Sequence, residues 1–249
     1  MKNNTLNKKI LVVGDIHSRW KYLNALIKET NPELILQVGD LGYWPRQQGK
    51  ISEYDIFLEN KYGIKAKPFE QYGIANGDIP IYFAAGNHED WDSLDKLKNN
   101  EVMPNVFYMK FGSCLTLPDG RVVMFCGGAY SIDKEARVLG RDWFEQEIIT
   151  YADMTNLPDT NKRVDIVISH TCPEEFLVQM SNRNIIYYNQ WGKEHRDSSR
   201  QALSYIRDTW KPKYWYFGHF HRYTHGNWKE TKWFSINMPL QTGWWKYLR

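Results

Sequence analysis

Potential metal ligands follow several short apolar segments of this chain, at the points where those segments end. Asp15 and His17 come after one such segment, and Asp40 comes after the next. Later segments are followed by further imidazole and amide side chains, namely Asn87, His88, His170, His219 and His221. Carboxylate, imidazole and amide oxygen atoms together suit two adjacent divalent transition metals, with a shared aspartate bridging them. The residue types therefore predict a dinuclear metal centre.

The combination of these residues carries the prediction, because each part is weak alone. A Gly-Asp pair after a strand is usually a turn, and a lone histidine such as His170 is more often structural than a ligand. His219 and His221 are stronger candidates, since alternate residues of an extended segment share a face. A glycine precedes most of the groups, and we expect it to let the backbone turn sharply there: Gly14, Gly39, Gly86 and Gly218.

The elements that must position these side chains are those of an α/β sheet. Apolar, β-branched or aromatic runs predict buried strands over 9–13, 34–38, 79–85, 164–169 and 214–217. Helical spacing of apolar residues predicts helices over 19–30, 92–99 and 198–210. A β-hairpin is predicted from 105–114 and 121–126, and a second over 227–237, so that a βαβ half would be joined to an antiparallel half. In open α/β sheets the loops at the carboxyl ends of strands bind ligands, so these loops are expected to converge.

Composition is that of an ordinary soluble globular chain. Of 249 residues, 42% are hydrophobic and 24% charged, and the formal net charge of +3 is too small to indicate a nucleic-acid or membrane surface by itself. The three cysteines lack metal or disulfide spacing, and the apolar run near the start is far shorter than the roughly 20 residues that cross a bilayer. We expect a cytoplasmic protein with a single domain over 1–249, which carries possible specificity insertions at 44–78 and 174–200.

Aromatic residues are unusually frequent, at 15%, and five of the 11 tryptophans lie in 211–249. That segment also carries seven Lys or Arg against one acidic residue. The favoured interpretation is edge strands with solvated basic faces and an aromatic core. The alternative is a basic, aromatic-lined surface that stacks bases and holds phosphates.

The ordered residues resemble the signature blocks of a known family. Five blocks are similar to those of the calcineurin-like metallophosphoesterases: Gly14-Asp15-Ile16-His17, Gly39-Asp40, Gly86-Asn87-His88-Glu89, His170 and Gly218-His219-Phe220-His221. The resemblance implies two packed mixed β-sheets flanked by helices, a four-layer α-β-β-α sandwich. It places Asp15, His17 and His221 on a first metal. It places Asn87, His170 and His219 on a second metal, with Asp40 bridging the two.

The resemblance also implies an enzyme, a metal-dependent hydrolase of phosphate mono- or diesters. Hydroxide bridging two divalent ions would attack phosphorus, with His88 as general acid or as a donor to a phosphoryl oxygen, and Glu89 would orient its loop. Manganese (Mn²⁺) is the predicted metal, although Fe, Zn²⁺ or Ni²⁺ suits the same ligands. We expect a phosphorylated small molecule or nucleotide as substrate and no membrane partner. Nucleic acid remains a possible substrate, and the oligomeric state stays open.

Substrate specificity is the least determined feature. Tyr43 replaces the second aspartate of the Gly-Asp-x-x-Asp-Arg-Gly block of protein Ser/Thr phosphatases, which disfavours that activity. Arg46, Arg183 and Arg196 are candidate substrate-binding cations in the two insertions. A repair-type nuclease, a protein phosphatase and a catalytically inactive binding scaffold remain as alternatives.

Overall fold

In the computed structural model, residues 9–51, 53–178 and 197–249 are described. The strands of this part of the chain are β1 (Ile10–Val13), β2 (Leu34–Gln37), β3 (Ile81–Phe83), β4 (Glu101–Met103), β5 (Val106–Tyr108), β6 (Cys114–Thr116), β7 (Val122–Cys126), β8 (Ile166–Ser169), β9 (Tyr214–Phe217), β10 (Thr224–Trp228), β11 (Thr231–Ser235) and β12 (Trp245–Tyr247). Its α-helices are α1 (Trp20–Thr30), α2 (Glu53–Tyr62), α3 (Trp91–Asp95), α4 (Tyr151–Met154) and α5 (Ser198–Trp210). Short 3₁₀ helices lie at Pro45–Gln47, Lys134–Ala136 and Glu145–Glu147.

These strands form two six-stranded mixed sheets of similar design. The first has the order β12-β1-β2-β3-β5-β4, and the second has the order β10-β11-β9-β8-β7-β6. In each sheet the four middle strands are parallel and both edge strands are antiparallel to their neighbours. The strand register aligns the carboxyl ends of β1, β2 and β3. Val13, the last residue of β1, pairs with Gln37, the last residue of β2, and Gln37 pairs with Phe83, the last residue of β3. The carboxyl ends of these parallel strands therefore lie along one edge.

Three apolar layers hold the sheets and helices together. Leu11 and Val13 of β1 pack with Leu23 and Ile27 of α1 on the outer face of the first sheet. The intervening residues of β1 pack between the sheets, against side chains of the second sheet such as Ile168. On the far side of the second sheet, Leu203, Ile206 and Trp210 of α5 pack on Val167, Trp215 and Phe217. The predicted four-layer α-β-β-α arrangement of two mixed sheets is confirmed.

Local sequence signals account for the ends of the two long helices. Helix α1 ends at Asn31, which is left-handed with φ 44° and stands before a proline. Helix α5 begins after Asp197, whose carboxylate accepts hydrogen bonds from the backbone N–H groups of Ser199 and Arg200. Helix α2 lies in the predicted insertion at 44–78.

The predicted hairpin from 105–114 and 121–126 is partly wrong. The 106–108 part of its first segment is β5 of the first sheet, which pairs parallel to β3. Only 114–116, as β6, pairs antiparallel with β7. The chain thus crosses between the sheets inside one apolar run, which periodicity cannot reveal because both parts are β-like. The predicted division into a βαβ half and an antiparallel half is wrong for the same reason, whereas the hairpin of β10 and β11 is confirmed.

The tryptophan-rich segment 211–249 contributes mainly to the core. Trp215 and Trp233 are buried beneath α5, at 0% and 5% exposure. This supports the favoured interpretation of that segment over a base-stacking surface. Among the described residues, no helix is long and apolar enough to cross a membrane. The single domain over 1–249 stays a prediction.

Candidate metal centre

The predicted ligands all lie on loops at the carboxyl ends of parallel strands. Asp15 and His17 follow β1, and Asp40 follows β2. Asn87 and His88 follow β3 in the same sheet. His170, after β8, and the His219–His221 pair, after β9, come from the second sheet. The site therefore lies where the corresponding edges of the two sheets meet.

One group of donors comprises Asp15, His17, Asp40 and His221, whose ligand atoms all lie within 4.8 Å of one another. The Nε2 atoms of His17 and His221 are 2.9 Å apart. His221 Nε2 is 3.2 Å from Asp15 Oδ2, and His17 Nε2 is 3.6 Å from Asp40 Oδ2. These donors converge on one point.

A second group of donors adjoins the first through Asp40. The amide oxygen Oδ1 of Asn87 is 3.0 Å from His170 Nε2 and 3.0 Å from His219 Nδ1. His170 Nε2 is also 3.3 Å from Asp40 Oδ1. The two carboxylate oxygens of Asp40 thus face different groups: Oδ2 faces the first group and Oδ1 faces the second. This is the placement that a bridging ligand requires.

The residues fit divalent metal ions. Asp15 Oδ1 is buried, yet it has no hydrogen-bond partner in the described part of the chain. An unpartnered buried carboxylate oxygen is costly, and a cation would offset that cost. The donors are imidazole nitrogens and carboxylate or amide oxygens, which suit Mn²⁺, Fe, Zn²⁺ or Ni²⁺.

The glycines at the site are required chiefly for space. A Cβ on Gly218 would lie 1.9 Å from Asp15 Oδ1, and a Cβ on Gly86 would lie 2.1 Å from Asp40 Oδ1. The expectation of a sharp glycine turn holds only for Gly39, with φ 109°. Four of the predicted ligands themselves have left-handed backbone, with φ of 47° at His17, 51° at Asp40, 66° at His219 and 46° at His221. Such strained backbone is typical of functional sites.

Charge coupling holds Asp40 and His170 together. Burial by itself raises the pKa of the Asp40 carboxyl and lowers that of the His170 imidazole. The combined attraction of Asp40 to His170, His88 and His17 outweighs burial at Asp40, and the attraction of His170 to Asp40, Asp15 and Glu89 outweighs it at His170. The pKa of Asp40 is therefore well below its usual value, and that of His170 is raised to about 9. In the metal-free protein His170 is protonated at neutral pH, so that metal ions compete with a proton for it.

His88 lies beside the ligands without joining either group. Its backbone N–H donates to Asp40 Oδ1 at 2.7 Å, and its ring centroid is 5.0 Å from that of His17. Arg137 Nη2 is 2.7 Å from His88 Nε2, and Arg137 Nη1 donates to the backbone oxygen of Asn87. Burial, with Arg137 adding to it, lowers the pKa of His88 to about 4 although Asp40 opposes the shift. The ring is thus neutral at pH 7 in the protein alone.

Two buried acids organise the loops around the site. The Glu89 carboxylate accepts hydrogen bonds from the backbone N–H groups of Gly42 and Gly86, so that it joins the loops after β2 and β3, as expected for a loop-orienting residue. Burial raises the pKa of Glu89 to about 8. Glu147 accepts from the backbone N–H of Ser131, whose hydroxyl accepts from the Asn87 amide. Sequence reasoning missed Glu147, because no spacing connects it with Asn87.

Of the three predicted substrate-binding arginines, Arg46 lies in the described part of the chain. Arg46 forms a two-pronged ion pair with the buried carboxylate of Asp90, although its own side chain is 43% exposed. Its role toward substrate stays a prediction. Arg183 and Arg196 lie outside the described residues. Among the described residues, Arg137 is an arginine that does contact the site, through His88 and the backbone oxygen of Asn87.

The chain matches known proteins over most of its length. The family model for calcineurin-like phosphoesterase matches residues 8–223. Over 238 residues the chain is 24% identical to the lariat debranching enzyme of Entamoeba histolytica, in a match that covers 85% of this chain and 63% of that protein. The crystal structure of TT1561 of Thermus thermophilus gives a TM-score of 0.52 at 13% identity, covering 93% of this chain and 89% of that one. The likeness to TT1561 is a likeness of fold.

Proposed function

Because the chain belongs to the calcineurin-like phosphoesterase family, we propose that it is a metal-dependent hydrolase of phosphate esters with a nucleotide-like substrate. The observation that carries this proposal is the convergence of seven predicted ligands on two groups that share Asp40. The unpartnered buried oxygen of Asp15 supports the presence of a cation. None of these positions has lost its ligating residue, which argues against the inactive scaffold.

The proposed ligands divide as the two groups do. Asp15, His17 and His221 would hold one ion. Asn87, His170 and His219 would hold the other, and Asp40 would serve both. Divalent ions there would neutralise charge on phosphate oxygens and lower the pKa of a water molecule.

The protein groups next to these ligands would handle the phosphate and the departing group. Arg137 and His88 are in contact with each other, and both are hydrogen-bonded to the loops that carry the ligands. Arg137 would neutralise a phosphate oxygen when substrate binds, which requires that it release His88 Nε2 and so leaves that nitrogen free to take a proton. His88 is neutral in the protein alone, so it must gain a proton when the anionic substrate binds in order to act as general acid.

A phosphodiester within a nucleic acid is the second candidate substrate. The similarity to the lariat debranching enzyme favours it, although the chain spans only 63% of the length of that relative. A protein phosphatase is disfavoured because Tyr43, which replaces the second aspartate of that branch, is buried with 6% exposure.

Hydrolysis of p-nitrophenyl phosphate and of bis(p-nitrophenyl) phosphate tests the proposal. Both are measured with Mn²⁺ and with EDTA, in the wild type, in Asp40→Asn and in His225→Ala. We expect release that EDTA abolishes, that Asp40→Asn lowers at least 100-fold, and that His225→Ala leaves unchanged, because His225 is exposed on β10 and its ring packs on Tyr223 and Phe234. Release from the bis ester alone would indicate a diesterase. No release with any divalent metal would overturn the proposal and favour the binding scaffold.

A further inference from the structure

A cavity of about 760 Å³ lies next to the loop after β1, which carries the predicted ligands Asp15 and His17. Ser18, which directly follows the predicted ligand His17, lines one side of it. Arg141 and Asp142 line another side, on the loop that also carries Arg137. Since Arg137 reaches His88, this loop runs from the site to the cavity. The cavity and the candidate metal centre thus share the loop after β1 and the loop of Arg137, and we expect a substituent of a phosphate ester at the metal centre to extend toward the cavity.

The walls of the cavity combine aromatic rings with cations. Trp20, Trp44 and Phe69 line it together with Lys50 and Lys67. Apart from the side chains of 53–55, which the structure does not describe, no carboxylate of the described residues forms an ion pair with either lysine. Aromatic faces stack on planar rings, and lysine binds phosphate, so this pairing of side chains suits a nucleotide.

Two acids also line the cavity, and both are engaged by the protein itself. The Glu70 carboxylate accepts from the backbone N–H of Tyr72, and the Asp142 carboxylate accepts from Arg141 and from the backbone N–H of Val138. Arg141 is therefore partly committed to Asp142. With Arg141 and Asp142 paired, the lining keeps the positive charges of Lys50 and Lys67 against the one negative charge of Glu70.

Hydrogen bonds to backbone groups hold the segments that carry the aromatic side chains of the cavity in place. The segments that carry Lys50 and Phe69 exchange hydrogen bonds, since Phe69 N–H donates to Lys50 O at 2.8 Å and Gly49 N–H donates to Phe69 O at 2.9 Å. The Trp20 indole N–H donates to Glu70 O. A wall that is already ordered loses little conformational entropy when a ligand binds.

We infer that this cavity binds the base and a phosphate of a nucleotide substrate, with the base against Trp44 and Phe69 and the phosphate on Lys50 and Lys67. The inference rests on the proposed function, because it assigns the substituent that the cavity receives when the scissile phosphate lies at the metal centre. It places the specificity of the enzyme in the predicted insertion at 44–78.

Calorimetric binding of AMP, adenosine and ribose 5-phosphate tests the inference. EDTA is included, so that neither turnover nor metal-bound phosphate contributes. We expect Trp44→Leu to weaken AMP and adenosine about tenfold or more, as loss of a base stack does, while ribose 5-phosphate is unaffected. Lys67→Ala should weaken AMP and ribose 5-phosphate but not adenosine. Lys65→Ala, an exposed lysine two residues away that does not line the cavity, is the matched control and should bind all three as the wild type does.

Trp44 also packs on Phe144, with ring centroids 6.2 Å apart, so Trp44→Phe is included as a variant that keeps an aromatic face. It should retain most of the AMP affinity. Equal affinity of the wild type for AMP and ribose 5-phosphate, or an equal loss of both in Trp44→Leu, would overturn the inference. Because binding is measured without metal, these results are independent of whether p-nitrophenyl esters are hydrolysed. Failure of that hydrolysis would overturn the proposed function instead.

Discussion

Gly86→Ala should disable the metal centre through a steric conflict at one atom. A Cβ at position 86 would lie 2.1 Å from Asp40 Oδ1 and 2.4 Å from the backbone nitrogen of Asp40, whereas ordinary contacts begin at 3.4 Å. The loop after β2 must therefore retreat from the loop after β3 by about 1.3 Å. Asp40 Oδ1 accepts from His88 N–H at 2.7 Å and faces His170 at 3.3 Å, and both contacts would be lost.

A displacement of this size has large functional consequences. A hydrogen bond to a charged group contributes about 1.5–3 kcal/mol, and a misplacement of about 1 Å lowers catalysis on the order of 100-fold. We expect Gly86→Ala to weaken Mn²⁺ binding at least tenfold and to lower turnover at saturating Mn²⁺ at least 100-fold. Calorimetric Mn²⁺ titration and ester hydrolysis measure the two effects.

Gly120→Ala is the matched control for general destabilisation. Gly120 has φ 84° in the turn between β6 and β7, and an added Cβ there would have no atom within 4 Å. Alanine at a positive φ costs about 1 kcal/mol, so this variant should melt earlier and yet bind Mn²⁺ normally. Wild-type Mn²⁺ affinity in Gly86→Ala, or an equal loss in both variants, would refute the steric argument.

Three further predictions concern residues around the metal centre. His88→Ala should bind Mn²⁺ normally but lose about 10²–10⁴-fold in turnover on an ester with a poor leaving group, and far less on a p-nitrophenyl ester, which needs no general acid; an unchanged turnover on the poor leaving group would contradict the role. Glu147→Gln should gain stability over the wild type as the pH rises. Burial raises the pKa of Glu147 from 4.5 to about 7, so that its protonated form stabilises the fold fully below pH 4.5 and this contribution is lost up to about pH 7. Urea unfolding at pH 4.5 and 8 should show the difference between the two proteins changing by about 1–3 kcal/mol, and a constant difference would be inconsistent with the shift. Arg46→Met should lower the free energy of unfolding by about 1–3 kcal/mol, since it leaves the Asp90 carboxylate buried without its ion pair; a raised KM with unchanged stability would instead assign Arg46 to substrate binding.

Strand and helix positions were predictable where the signal is local. The strand at Tyr214–Phe217 and the helix at Ser198–Trp210 have the predicted bounds, because a short aromatic run and a helical period of apolar residues are each read within one element. Strand pairing was not predictable in the same way. The 105–126 region contains only β-like patterns, and the division of β5 and β6 between two sheets depends on partners elsewhere in the chain.

In the site too, the residues recognised by local features were predictable, whereas contacts between residues far apart in the chain were not. The seven predicted ligands could be recognised because each follows a strand, and the carboxyl ends of parallel strands must meet at one edge. Arg137 contacts His88 across 49 positions of the chain, and no pattern in the sequence connects them. Glu147 likewise reaches Asn87 only through Ser131.

By itself, the sequence determined which side chains can ligate metal and in what order they occur, since residue type and strand-end position are local properties. The tertiary structure decided that Asp40 faces both groups of donors, that Gly86 and Gly218 must lack a Cβ, and that an aromatic and cationic cavity is lined by Ser18, the residue after His17. These features arise from contacts between loops of different strands and of both sheets. Their distances are set by how the sheets pack, which is a property of the whole fold.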